Sequence, residues 1–151
     1  MIPYRRRMMV AIAVATLLPA WACSAQAALP EVNVYKDPNC GCCGAWAEHM
    51  RRNGFRVTTH DVTDLGAVKR KHRVPEALGS CHTATVAGYA IEGHVPAEDV
   101  RRLLAQRPAD VIGLAVPGMP LGSPGMESPT PQRYDVLAFD AQGRSRIFQR
   151  R

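Results

Sequence analysis

The sequence predicts an α/β fold, and three observations carry that prediction. Strand-period and helix-period segments alternate between residues 31 and 106. Three cysteines, Cys40, Cys42 and Cys43, crowd into the first strand-to-helix turn. A long loop rich in Gly, Pro and Met then separates this region from a closing hairpin.

The elements follow in order. Glu31 to Lys36 alternates apolar and polar residues and reads as a strand. Asp37-Pro38-Asn39 is a turn, and from Cys43 to Asn53 the residues Ala45, Trp46, His49 and Met50 recur at helical spacing before Asn53-Gly54 stops the helix. Phe55 to Val62 reads as a second strand and Asp64 to His72 as a basic helix closed by Val74-Pro75. Thr83 to Ala87 and Tyr89 to Glu92 flank Gly88 as a hairpin. From Pro96 to Gln106, Val100, Leu103 and Leu104 form an apolar stripe, with Glu98 and Asp99 placed for the N-terminal dipole.

After these seven elements comes the loop from Val116 to Pro131, about 16 residues, longer than structureless loops run in a compact domain, which marks it as functional or ordered by a ligand. Tyr134 to Phe139 and Arg144 to Gln149 make the last hairpin. The first seven elements follow the thioredoxin order. The predicted architecture is a thioredoxin-like single domain with a long Gly/Pro/Met loop and a C-terminal β-hairpin.

The N-terminus reads as a signal peptide over residues 1–27. Arg5, Arg6 and Arg7 form a basic region, Met8 to Ala20 is apolar, and Ala25-Gln26-Ala27 is an A-x-A cleavage site. The apolar run, about 13 residues, falls short of the roughly 20 a membrane span needs. A lipoprotein anchored at Cys23 is the alternative, against which Ala20-Trp21-Ala22 makes a poor lipobox. Removing Arg5, Arg6 and Arg7 lowers the formal charge from +6 to +3. No dense basic patch with interleaved aromatics remains, which argues against a nucleic-acid partner. The mature domain, 28–151, keeps Cys40, Cys42, Cys43 and Cys81, in a compartment where disulfides persist.

Thiolate is a strong nucleophile and a soft ligand, and a helix N-terminus favours its formation. Cys40 and Cys43 stand as C-x-x-C, a sign of thiol redox or metal chemistry. Cys42 between them weakens the plain oxidoreductase reading, because a third thiol can capture or scramble the mixed disulfide. Ordinary stabilising disulfides are the bland alternative, although neighbours this close restrict little chain entropy. Cys81 precedes the third strand, on the loop that faces C-x-x-C in thioredoxin-like folds, and would approach the cluster from across a cleft. There His82 occupies the place expected of a proline. The competing picture is a small buried cysteine beside an exposed histidine.

Met119 and Met126 lie in a loop too rich in Gly and Pro to bury them in regular structure, and thioether sulfur selects Cu(I). His94, at the mouth of the hairpin, is a candidate ligand. His49 reads as solvent-facing or as a cap, and His60 and His72 as background. Zinc is the rival metal, but structural zinc sites spread their cysteines as spaced pairs, whereas C-x-C-C suits several Cu(I) ions sharing bridging thiolates.

These motifs resemble those of the CopG-like copper-resistance proteins: Cys-Gly-Cys-Cys-Gly-Ala-Trp at 40–46, Ser-Cys-His-Thr at 80–83, Ile-Glu-Gly-His-Val-Pro at 91–96, and the run from Ala115 to Glu127. The resemblance spans nearly all of the mature chain. It implies periplasmic copper handling through a thiolate-bridged cluster of several copper ions, with a role in interconverting Cu(I) and Cu(II). It implies Cys40, Cys42, Cys43 and Cys81 as ligands, with Met119, Met126 and His94 beside them. The expected partners are copper ions and other periplasmic copper-handling proteins. Two other functions fit the same residues: a thiol–disulfide oxidoreductase using Cys40 and Cys43, and a non-catalytic copper chaperone.

Overall fold

Residues 28–151 are described by a computed structural model; the expected signal peptide, its expected cleavage site and Cys23 lie outside the described residues. Strand β1 (Val32–Lys36) leads into helix α1 (Gly41–Arg52), then β2 (Val57–Asp61) and α2 (Leu65–Lys71). A 3-10 turn at Glu76–Leu78 precedes β3 (His82–Val86) and β4 (Tyr89–Glu92). Helix α3 (Ala97–Gln106), β5 (Gly113–Ala115), β6 (Asp135–Phe139) and β7 (Ser145–Arg150) complete the order.

The strands form one sheet in the order β2-β1-β3-β4-β5-β6-β7. β1 runs parallel to β2 and antiparallel to β3, and β3 is antiparallel to β4, the expected thioredoxin-like arrangement. β5 then extends the sheet, parallel to β4 across the α3 crossover, and the hairpin of β6 and β7 adds to it. The predicted fold class is therefore the observed one. Strand β5 is the addition. Its three residues, Gly-Leu-Ala, are too few for a two-residue period to register, and all three are buried.

Strand alternation sorts the core into two faces. Val32, Val34, Ala84, Val86, Ile91, Leu114, Val136 and Ala138 join Trp46, Ala47 and Met50 of α1 and Val100 and Leu103 of α3 in one cluster. On the other face Ala90, Ala115 and Phe139 meet Val74 and Leu78. The same face carries Thr83 and Glu92, which take Lys69 of α2. The sheet is thus a middle layer between α1 with α3 and α2.

Close approach sets the one backbone position that β5 cannot vary. A Cβ at Gly113 would lie 2.4 Å from both the carbonyl oxygen of Ala90 and the ring of Phe139. Neither can retreat from the sheet interior. Gly113→Ala should therefore cost about 1–3 kcal/mol, the range for overpacking a core. Urea unfolding of the two proteins checks this, and equal midpoints would contradict the packing described.

Candidate metal centre

The C-x-x-C spacing places its two cysteines one helical turn apart. Cys40 is the N-cap residue of α1, and the helix begins at Gly41, two residues ahead of the sequence expectation. The cluster therefore occupies the first turn, where backbone N–H groups and the helix dipole favour negative charge. Asp37 shapes the approach: its carboxylate accepts the Asn39 N–H at 2.8 Å and its carbonyl accepts the Cys40 N–H at 3.0 Å.

Cys40 and Cys43 are joined as a disulfide, with 5.4 Å between their Cα atoms. Cys42 and Cys81 are free thiols. Cys42 Sγ lies 3.6 Å from Cys40 Sγ and 3.8 Å from Cys81 Sγ, so it touches both the disulfide and the other thiol. Cys43 Sγ, wholly buried, lies 3.6 Å from the Cys81 carbonyl oxygen. The four sulfur atoms lie within 4.8 Å of one another. In this oxidation state Cys40 and Cys43 offer no thiolates, and a thiolate at either position requires a two-electron reduction.

Cys81 stands one residue ahead of β3, and a buried carboxylate fixes its segment. Glu92, fully buried on β4, accepts the Ser80 N–H at 2.6 Å and the Thr83 hydroxyl at 2.7 Å, and pairs with the Lys69 ammonium. Its partners thus bracket Cys81 and His82. Burial pushes the Glu92 carboxyl above its ordinary range, while Lys69 and the hydrogen bonds pull the other way. The pattern Thr83-to-Glu92 across a hairpin is visible in the sequence, but nothing local marks Glu92 as buried.

His94 completes the cluster. Its Nε2 lies 3.0 Å from Cys81 Sγ, and its Nδ1–H donates to the Pro124 carbonyl oxygen at 2.8 Å. That second bond fixes the tautomer and leaves Nε2 as a bare lone pair aimed at the sulfur, the arrangement usual for a metal-ligating histidine. Cys81, His82 and His94 form a second group with donor atoms within 4.8 Å of one another. Burial lowers the His94 pKa, and burial together with His94 and Lys69 brings His82 down to about 3, which favours the neutral ring at both. Burial, with Cys42 beside it, pushes the Cys81 thiol up to about 12.

His82 overturns the competing picture of an exposed histidine. It is fully buried rather than exposed, its ring 4.6 Å from that of Trp46 and edge-on to His94 at 5.2 Å. Its Nδ1 lies 3.4 Å from Cys81 Sγ, while its buried Nε2 has no hydrogen-bond partner. His49 acts as a cap: its Nε2 accepts the Ala97 N–H at 3.1 Å, at the start of α3. His60 bonds Asn33 and stacks on Tyr35, away from the cluster.

The long loop straps across the first turn of α1. Gly125, at φ +85°, approaches so closely that a Cβ there would lie 2.8 Å from both the Cys42 carbonyl oxygen and the Trp46 backbone nitrogen. Internal bonds brace the strap: the Gly122 N–H to the Met126 carbonyl at 2.7 Å, the Met126 N–H to the Ser123 carbonyl at 2.8 Å, and the Ser123 hydroxyl to the Pro120 carbonyl at 2.7 Å. At its near end the Ser80 hydroxyl donates to the Gly118 carbonyl. Met126 is half-buried next to Gly125, whereas Met119 is 51% exposed at the loop surface beside Gly118. The structure thus gathers Cys40, Cys42, Cys43, Cys81 and His94. It brings the two methionine segments to the rim of that group.

Comparisons with known proteins bear on this arrangement. The model of a family described as protein of unknown function, DUF411, matches residues 78–126, the stretch from the Cys81 segment through His94 to Met126. Two solved structures of copper resistance protein CopG, form 1 and form 2, are each 43% identical to this chain. Each gives a TM-score of 0.77, with 82% of this chain and 98% of the other covered. No curated protein matches.

Two outcomes follow from the geometry. Glu92→Gln keeps the side-chain size but strips the charge from three donors, and should cost about 1.5–3 kcal/mol, the range for hydrogen bonds to a charged group. Gly125→Ala forces a left-handed alanine onto α1, costing about 1–2 kcal/mol from the backbone alone, and should lift the strap. Thermal unfolding measures both costs, and histidine NMR shifts report whether His94 loses its Pro124 bond in the Gly125 variant.

Proposed function

The chain belongs to the family of copper resistance protein CopG, and from that premise we propose that it is a periplasmic protein that binds Cu(I) in a cysteine-thiolate cluster. In this reading residues 1–27 direct export and are removed. Among the described residues no helix is long and apolar enough to cross a membrane. The observation that carries the reading is the convergence of four cysteine sulfurs, from residues 40–43 and residue 81, within 4.8 Å.

The donor chemistry fits copper. Once Cys40–Cys43 is reduced, four thiolates and the His94 imidazole face one volume, and soft sulfur donors select Cu(I). Cys42, set between Cys40 and Cys81, is placed to bridge metal ions. Met119 and Met126 supply thioethers at the rim. We assign the ligand set as Cys40, Cys42, Cys43, Cys81 and His94, with Met119 and Met126 closing the site. The same set serves Cu(I)/Cu(II) interconversion, in a role in copper resistance, because the mixed sulfur and imidazole donors suit both oxidation states.

The Cys40–Cys43 disulfide favours a second reading, a periplasmic thiol–disulfide oxidoreductase with Cys40 as nucleophile. Against it stands Cys42, whose thiol lies 3.6 Å from Cys40 Sγ and competes for any mixed disulfide.

Metal analysis separates the two. After anaerobic loading of the reduced mature chain with Cu(I) and, in parallel, Zn(II), we expect several coppers per chain with all four thiols engaged, and Cys42→Ser should lower the copper stoichiometry sharply. Unchanged copper binding in that variant contradicts the cluster. Turnover of a disulfide substrate by metal-free protein, abolished by Cys40→Ser, would establish the oxidoreductase instead.

A further inference from the structure

We infer that Cys42 and Cys81 are a second redox pair, a dithiol that reduces two Cu(II) ions to Cu(I) and closes as a Cys42–Cys81 disulfide. The inference rests on the copper-handling reading above and names the electron source for it. With Cys40 and Cys43 already bonded, these two thiols remain. They stand on separate elements, the first turn of α1 and the segment before β3, yet their sulfurs are 3.8 Å apart. To reach the S–S bond length of about 2.05 Å, these sulfurs need to close by less than about 2 Å.

The two disulfides differ in what they constrain. Cys40 and Cys43 are three residues apart, whereas Cys42 and Cys81 are 39 apart. A Cys42–Cys81 bond closes a far longer loop and therefore restrains the unfolded chain more. It also ties α1 to the sheet at the point where the strap crosses.

Both thiols are partly open to solvent, and their protons leave to it as the sulfurs are oxidised. In balance, two S–H bonds break, one S–S bond forms, two protons leave, and two electrons pass one each to two Cu(II) ions. Disulfide sulfur is a poor ligand, since thiolate is the binding form. The oxidised chain therefore releases its Cu(I) rather than storing it. An external dithiol restores the pair by exchange, becoming a disulfide itself.

The test uses the mature chain carrying one disulfide, mixed anaerobically with Cu(II) and the Cu(I) chelator bathocuproine disulfonate. The expected result is two Cu(I) per chain, loss of both free thiols, and a Cys42–Cys81 cross-link in the peptide map. Fully reduced chain should yield four Cu(I). Diamide, with no copper present, should close the same bond. Cys42→Ser and Cys81→Ser should each abolish the intrachain cross-link, and two variants guard against one misfolding.

Cu(II) bound without reduction, or disulfide-linked dimers in place of the intrachain bond, overturns the inference. Loading the fully reduced chain with Cu(I) distinguishes the failures. If that chain holds Cu(I) while the one-disulfide form leaves Cu(II) unreduced, the dithiol inference falls and the copper-binding reading stands. If it holds no Cu(I), the copper-binding reading falls, and the inference with it.

Discussion

Cys81 faces the first turn of α1 because a fully buried carboxylate pins the backbone on either side of it. Glu92 holds the Ser80 N–H and the Thr83 hydroxyl while Lys69 compensates its charge from α2. An unpaired carboxylate at that depth would cost several kcal/mol, on the order of 3–5 when one partner of a buried pair is lost. The arrangement of residues 80–83 that satisfies Glu92 is also the one that delivers the fourth sulfur. Everything at the site depends on it: the 3.8 Å contact with Cys42, the approach of His94, and the seat for the strap.

The strap is the second restraint, and it acts through backbone rather than charge. Pro124 uses its carbonyl to orient His94, and Gly125 uses its missing Cβ to lie against α1. Each of these contacts joins segments far apart in the chain. A loop this long costs only logarithmically more to close than a short one, so a few such anchors suffice to order it. The thiols and the imidazole are thus brought together by three separate elements: a helix start, a strand start and the turn after β4.

Much of this was legible in the sequence, because it lies in local patterns. The alternation around Val32 and Val34, the apolar stripe of α3 and the C-x-x-C spacing all report short-range geometry, and they placed the cysteine cluster at the right turn. The Gly/Pro content of residues 116–131 marked the loop. What escaped was long-range or too short to show a period. Strand β5 has three residues. The burial of His82 shows only once Trp46, 36 positions earlier, is seen packed against it. Glu92 reads as a strand-end acid, because its partners Lys69, Ser80 and Thr83 converge only in the folded sheet. The His94 tautomer depends on a carbonyl 30 residues away.

X-ray absorption at the copper edge of the anaerobically Cu(I)-loaded, fully reduced chain tests the central claim most directly. A first shell dominated by sulfur, with a short copper–copper vector from shared thiolates, is the predicted result. A shell of nitrogen and oxygen alone, or a single copper with no metal neighbour, would contradict the account.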